Sequence, residues 1–526
     1  MTGPRLAAAL AAALALALTA CGGGSPSDET PTALRTPAAG PVIDLATSDA
    51  ITTVLGADSG DLKSDLPSVT TGDFNSDGID DLLIGARFGD GPDNTRTDAG
   101  EAYVVYGSDK PPTTVDIAKG DADVTIWGVG HGDNLGLFVH AGDVNGDGKT
   151  DIMVGAPYAS GPTGTPQTGS AYVFFGGSKL ASSIDLSEQQ ADLTLHGPGS
   201  LSFFGDSITS GDINDDGVND IIIGATFAAP NADNPQQTGG VYAVYGSKDL
   251  AGSKDMTKGE YDLVVFGRDP QDELGDAVAS ADVNGDGVDD LLMVAEAADG
   301  PENDRSAAGE VYVVLGGANL KGPVDTGKDE QAMTVYGGDT NDILGFSIAG
   351  GDVDGDGVAD IVVPARTGDG PGNQTPDAGQ TYIIHGSTDL PKSIDLAQDQ
   401  DIASFTGANT TDLLAAIALW DVNGDGNQEI IAGTGYGDGP DNSRVDCGEV
   451  VVLNAKGLAA PASSTSEGFR LQISYGPESE GRMGAGVAAG DFNGDGKIEL
   501  IMVAPEANGP GEGRANAGRV YVVPGP

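Results

Sequence analysis

Residues 135–157 read LGLFVHAGDVNGDGKTDIMVGAP, and nearly the same line is written seven times along the chain. Its centre, D-x-[ND]-x-D-G, starts at Asp73, Asp143, Asp212, Asp282, Asp352, Asp421 and Asp491, with successive gaps of 70, 69, 70, 70, 69 and 70 residues. A spread of one residue over six intervals gives every unit the same shape. The chain is therefore a repeat array, not a string of unrelated domains.

Within a unit, a lead-in segment such as LGLFVHAGD (135–143) precedes the acidic loop, and an apolar run follows it: DLLIGAR (81–87), DIMVGAP (151–157), DIIIGAT (220–226). A Gly/Pro-rich loop comes next, GDGPDN at 89–94 and again at 437–442, then GEAYVVYG (100–107) and DVTIWG (123–128). That makes four short strands bounded by Gly, Asp or Pro. Runs such as LLIG and IIIG are apolar at consecutive residues, the pattern of a strand buried on both faces. Four-stranded sheets packed face to face around an axis supply that burial, so the expectation is an all-β, seven-bladed β-propeller. A linear β-solenoid predicts shorter rungs and capping units at its ends, and the sequence has neither. The ends complement each other. VIDLATSDAITTVLG (42–56) matches SIDLSEQQADLTLHG (183–197), a blade's fourth strand without its first three, and the chain stops after GRVYVVPG (518–525), a third strand lacking its fourth. Ile51 to Leu55 is expected beside Val520 to Val523, closing the ring.

The acidic loops carry the chemistry. In each, side-chain oxygens at positions 1, 3, 5 and 9 are expected to converge with the backbone carbonyl of position 7. The first loop offers Asp73, Asn75, Asp77, Ile79 and Asp81, and the second Asp143, Asn145, Asp147, Lys149 and Asp151. The third offers Asp212, Asn214, Asp216, Val218 and Asp220, and the fourth Asp282, Asn284, Asp286, Val288 and Asp290. The fifth offers Asp352, Asp354, Asp356, Val358 and Asp360. In the sixth, Asp421, Asn423, Asp425 and Asn427 end on Glu429, and in the seventh Asp491, Asn493, Asp495 and Lys497 end on Glu499. Calcium wants six to eight oxygens, and the Gly at position 6 lets the chain wrap around it. No loop contains His or Cys, which disfavours zinc and copper. An EF-hand is excluded, because position 12 is apolar throughout: Ile84, Val154, Ile223, Met293, Val363, Ala432 and Met502. About seven calcium sites of a structural kind are expected.

LGLFVHAGDVNGDGKTDIMVGAP (135–157) and FGDSITSGDINDDGVNDIIIGAT (204–226) resemble the FG-GAP repeat of integrin α-subunit propellers, and the resemblance covers residues 42–526. It implies a seven-bladed ring with calcium in the first hairpin of a blade and ligand binding on the opposite, loop-rich face. Departures are local. LPSVTTGD (66–73) and LLAAIALWD (413–421) lack the FG, and GTG (433–435) replaces GAP.

With 25 basic against 80 acidic residues the net charge is −55, a field that repels nucleic acid and anionic lipid. Residues 1–21 read as a secretory leader in which Leu18-Thr19-Ala20-Cys21 resembles the lipobox of bacterial lipoproteins, with Cys21 the lipidated residue. Residues 22–41 read as a flexible tether. Cys447 remains alone and is expected as a small buried residue. Four histidines, His131, His140, His196 and His385, lie at unlike positions in their units, and no G-x-S-x-G elbow occurs. An enzyme is not expected. The expected function is a monomeric, surface-anchored adhesion or protein-interaction module outside the cytoplasm, with an extracellular protein or glycan as partner. A carbohydrate-binding propeller competes with it, and so does a calcium-dependent enzyme acting on polysaccharide or lipid. The first wants aromatic platforms repeated on one face, and Tyr and Phe here sit mainly within strand motifs such as YVVYG.

Overall fold

The computed structural model describes residues 40–64, 68–177, 180–229, 236–399, 402–456, 458, 462–463, 469–510 and 514–526. The leader, Cys21 and nearly all of the tether lie outside the described residues.

Seven sheets make up the described chain. In the first, Val69–Gly72, Asp81–Ala86, Glu101–Val105 and Val124–Trp127 pair antiparallel in chain order. The first strands of neighbouring sheets touch in a cycle that returns from Gly486–Gly490 to Val69–Gly72. The ring is closed, and each sheet is a blade. The second strand of every blade is buried at all six positions, from DLLIGA to ELIMVA. The cause is seven apolar clusters, one in each gap between blades. Leu83 faces the second blade with Ile152 and Val154, while its neighbours Leu82 and Ile84 face the seventh with Ile501 and Val503. A strand squeezed from both sides has no polar face to show, hence the consecutive apolar runs.

Each blade holds five strands where the sequence reading expected four. The fifth is short, parallel and borrowed: Ser183–Asp185 of the second unit lies on Val124–Trp127 of the first blade, with Ile184 opposite Ile126. The segment between a unit's third and fourth strands must travel back along the blade edge, and on the way it pairs with the neighbour's otherwise open outer strand.

The chain start is split in the same way. Val42–Asp44 lies parallel on Arg470–Tyr475 of the sixth blade. Thr52–Leu55 is the fourth strand of the seventh, antiparallel to Arg519–Pro524, with Thr52 opposite Val522 and Leu55 opposite Arg519. The ring therefore closes at the position expected from the chain ends.

The glycines of the repeat mark where blades meet. A Cβ on Gly85 would stand 2.0 Å from the carbonyl oxygen of Gly136 in the next blade, and one on Gly224 would stand 2.0 Å from that of Gly275. Gly136 and Gly275 themselves have φ of +85° and +105°, where L side chains are strained. The glycine after the lead-in aromatic or leucine thus packs backbone to backbone against the glycine that ends the second strand.

Candidate metal-binding loops

All seven acidic loops join a first strand to a second, so strand alternation places them on one face of the ring. They share one hydrogen-bond scheme. Position 1 accepts the N–H of the glycine at position 6: Gly78 to Asp73, Gly148 to Asp143 and Gly287 to Asp282 lie at 2.9, 2.7 and 2.7 Å. Position 5 accepts the N–H of position 7, as from Ile79 to Asp77 at 2.9 Å and from Lys497 to Asp495 at 2.9 Å. These bonds bend the loop inward and are repeated in the third, fifth and sixth loops.

Position 9 is different. Asp81, Asp151, Asp220, Asp290, Asp360, Glu429 and Glu499 open the second strand and are no more than 3% exposed. Each accepts the N–H of position 2, as from Val144 to Asp151 at 3.0 Å. In the first five units it also accepts the N–H of the glycine two residues past the third strand, as from Gly107 to Asp81 at 2.9 Å. Glu429 and Glu499 take the same place despite the extra methylene, drawing Asn423 and Asn493 to 2.6 and 2.7 Å. Burial pushes Asp81, Asp220, Asp290, Glu429 and Glu499 up to about 7 and Asp151 up to about 6, against the opposing pull of the backbone amides.

A hard divalent ion fits this donor set. In the fifth loop, oxygens of Asp352, Asp354 and Asp356 lie within 4.8 Å of one another, the span of neighbouring ligands around one ion. In that loop positions 1, 3 and 5 gather, and position 9 opens the strand behind them. Asp360 gathers instead with Asp354 and with His385, whose Nδ1 lies 3.1 Å from Asp360 and 3.3 Å from Asp354. No histidine is in the loop itself, yet the chain supplies one from the end of the third strand. It could have been found by aligning the units, because His385 stands where the others have Tyr106, Phe175, Tyr245 and Leu315.

Neighbouring loops are also joined. Ala359 donates to the Asp282 carbonyl at 3.0 Å, Gln428 to that of Asp352 at 3.0 Å, and Asp80 to that of Asp491 at 3.1 Å.

On the opposite face the acidic side chains of the Gly/Pro loops fold back on their own turns. Asp90 accepts from Asp98 N–H and Asp369 from Asp377 N–H, both at 2.9 Å. Beside the channel along the ring axis, about 150 Å³ and lined by Phe138, Ile208, Val278, Ile348, Ile417 and Val487 among others, lies a second acidic group. Carboxylate oxygens of Glu273, Asp276 and Glu296 come within 4.8 Å of one another. Burial raises all three, Glu273 to about 8; repulsion by Glu296 adds to the rise of Glu273 and Asp276, while Arg366 pulls Glu296 back.

Fold and loops together define a propeller built from seven oxygen-lined repeats. The family model described as the FG-GAP repeat matches residues 67–105, 135–174, 204–244, 274–314, 344–384 and 483–523. The chain is an FG-GAP-repeat β-propeller that resembles those of integrin α chains. The model passes over the sixth unit, where LLAA and GTG stand in place of both glycine motifs. Integrin alpha pat-2 of Caenorhabditis elegans is 31% identical over 253 residues, 44% of this chain and 18% of that one. Phosphatidylinositol-glycan-specific phospholipase D of Rattus norvegicus is 33% identical over 183 residues, 34% of this chain and 20% of that one. The human phospholipase D is 30% identical over 225 residues, 42% and 25% of the two chains. The chain therefore spans a quarter or less of the length of these relatives. Among solved structures, BBS1N in complex with ARL6DN aligns over 90% of this chain and 97% of that one at 8% identity, with a TM-score of 0.44.

Proposed function

We propose that this protein is a calcium-stabilised binding module displayed outside the cytoplasm, serving adhesion or protein interaction and not catalysis. The observation that carries the reading is the shared loop scheme: seven hairpins on one face, each with inward-facing oxygen donors held by backbone amides. Without cations, several carboxylates crowd each hairpin. With them, the same groups become ligands, and the hairpins become rigid struts at one end of every blade. That leaves the opposite face, with its Gly/Pro and inter-blade loops, for a partner. The likeness to integrin α chains supports an extracellular, protein-binding role. The likeness to phospholipase D covers a quarter or less of those chains.

The proposed anchoring rests on the sequence. Leu18-Thr19-Ala20-Cys21 supplies the acceptor for a lipid and residues 22–41 the tether. Among the described residues no helix is long and apolar enough to cross a membrane.

The test is capture of partners from cell-surface extracts with the mature chain, in calcium and after chelation, run beside a glycan array. A protein partner retained only in calcium supports the reading. Specific glycan binding without a protein partner shifts it to a lectin, and turnover of a phospholipid or polysaccharide overturns it.

A further inference from the structure

We propose that the fifth loop is a metal site of a different class from the other six, in which His385 Nδ1 joins Asp354 and Asp360 to hold a borderline first-row transition ion such as zinc. The inference rests on the reading of the seven hairpins as metal-binding loops and adds a second metal chemistry to one of them.

Three observations converge on it. The fifth unit alone places a histidine at the end of its third strand, where the others have Tyr106, Phe175, Tyr245, Leu315, Asn454 and Pro524. The fifth loop alone has an aspartate, Asp354, at the third position, where the others have asparagine. These two departures meet in space: the imidazole nitrogen lies 3.3 Å from Asp354 Oδ2 and 3.1 Å from Asp360 Oδ1, and the three donor atoms share one small volume.

The geometry suits a small ion. Tetrahedral bonds of about 2.0–2.1 Å set neighbouring donor atoms about 3.3 Å apart, close to the two separations observed here. Two carboxylates, one imidazole and a water complete four-coordination, the pattern of a zinc site with an open position. Backbone amides already hold both carboxylates. Asp360 accepts N–H bonds from Val353 at 3.1 Å and Gly386 at 3.1 Å, and Asp354 accepts one from Asp356 at 3.0 Å, so both carboxylates are held before any ion arrives. In the sixth unit Asn454 reaches Glu429 at 3.1 Å from the same place, but an amide nitrogen is no metal ligand. Calcium, a hard ion, takes oxygen and avoids imidazole, so the nitrogen discriminates between the two metals. Asp354 belongs to both the oxygen trio with Asp352 and Asp356 and the His385 trio. The two ions therefore compete for one side chain, and the fifth loop holds one or the other.

The test uses the mature chain stripped of metal and then loaded with millimolar calcium. Zinc is titrated in by calorimetry, and cobalt is used as the spectroscopic probe. One equivalent of zinc is expected to bind against that calcium, and cobalt to give visible bands of a four-coordinate site. His385→Gln is expected to weaken zinc at least tenfold and to abolish the bands while calcium uptake stays at six or seven ions. His385 is exposed, so this variant keeps the fold, and equal melting in calcium checks it. Zinc displaced by calcium from the unaltered chain, or bound equally by His385→Gln, overturns the inference and leaves a histidine–carboxylate ion pair only. Absence of calcium uptake in both proteins sinks the reading of the hairpins instead, and the zinc result then stands or falls by itself.

Discussion

Arg444 Nη2 lies 2.6 Å from Asp44 Oδ1 although 400 residues separate them in the chain. The arginine comes from the second loop of the sixth blade and the aspartate from the parallel strand at the chain start. The same guanidinium also donates to the carbonyl of Gly476, just past the blade's fourth strand. This is one of four equivalent latches among the described residues. Arg96 pairs with Asp185 at 2.6 Å, Arg305 with Asp395 at 2.7 Å and Arg514 with Asp116 at 2.5 Å. Each bolts a borrowed fifth strand to its host blade, and each pair is largely shielded from water.

Replacing Arg444 by Met keeps the aliphatic packing and removes the latch. A charge-assisted pair of this kind contributes about 1–3 kcal/mol, and the loss should fall on the amino-terminal strap first. Limited proteolysis is expected to clip near residues 40–50 in Arg444→Met before the ring unfolds. Asp44→Asn added to it should cost little more, as a double-mutant cycle in urea would show. Additive costs would mean that the two side chains do not act together.

Chelation tests the hairpins. An ion that binds only the folded chain adds about 2.7 kcal/mol at a hundred times its dissociation constant. Several such sites should lower the melting temperature steeply in EGTA, with recovery on adding calcium. Asp147→Ala should remove about one bound ion by direct calcium titration. An unchanged melt after thorough chelation contradicts structural calcium.

The acidic trio beside the channel sets a pH dependence. Glu273 has a folded-state value of about 8 against an ordinary 4.5, so the folded chain holds a proton that the unfolded chain releases. Stability from this group is therefore intact below about pH 4.5 and falls as pH rises towards 8. Glu296→Gln removes the foremost of the charges that repel Glu273. Calorimetric scans should find it stabilised on the order of 2 kcal/mol at pH 8 and almost unchanged at pH 4.5. Equal effects at both pH values count against the repulsion.

Gly224→Ala tests the contact between blades. The added methyl meets the Gly275 backbone at 2.0 Å, and a backbone carbonyl cannot swing aside as a side chain does. A cost of about 2–4 kcal/mol is expected from overpacking and strain, measured by urea denaturation. Gly78→Ala offers the contrast: its φ is +88° with open space around it, so only conformational strain of about 1 kcal/mol applies.

The ring, the number of blades and the strand that closes it were legible because they rest on spacing and on which faces are apolar. The loop positions were legible for the same reason, since Asp and Gly recur at fixed offsets. The fifth strand was not. Segments such as Ser183–Asp185 are three residues long and carry no periodicity of their own, and their pairing is set by a neighbour 58 residues away in the chain. The latches were hidden for a related reason, because Arg96 and Asp185 each look like an ordinary surface charge until the ring brings them together. His385 was overlooked because it lies outside the loop it approaches, 25 residues beyond Asp360.

The borrowed strands have an evolutionary consequence. Because every petal of the disc wears an edging sewn on from the petal beside it, no repeat is self-sufficient, and excising one leaves its neighbours frayed. Gene duplication can lengthen such a wheel only when the copied segment carries its own edging in phase, a full 69 or 70 residues at a time. The near-constant spacing of the seven units is what that interlocking demands.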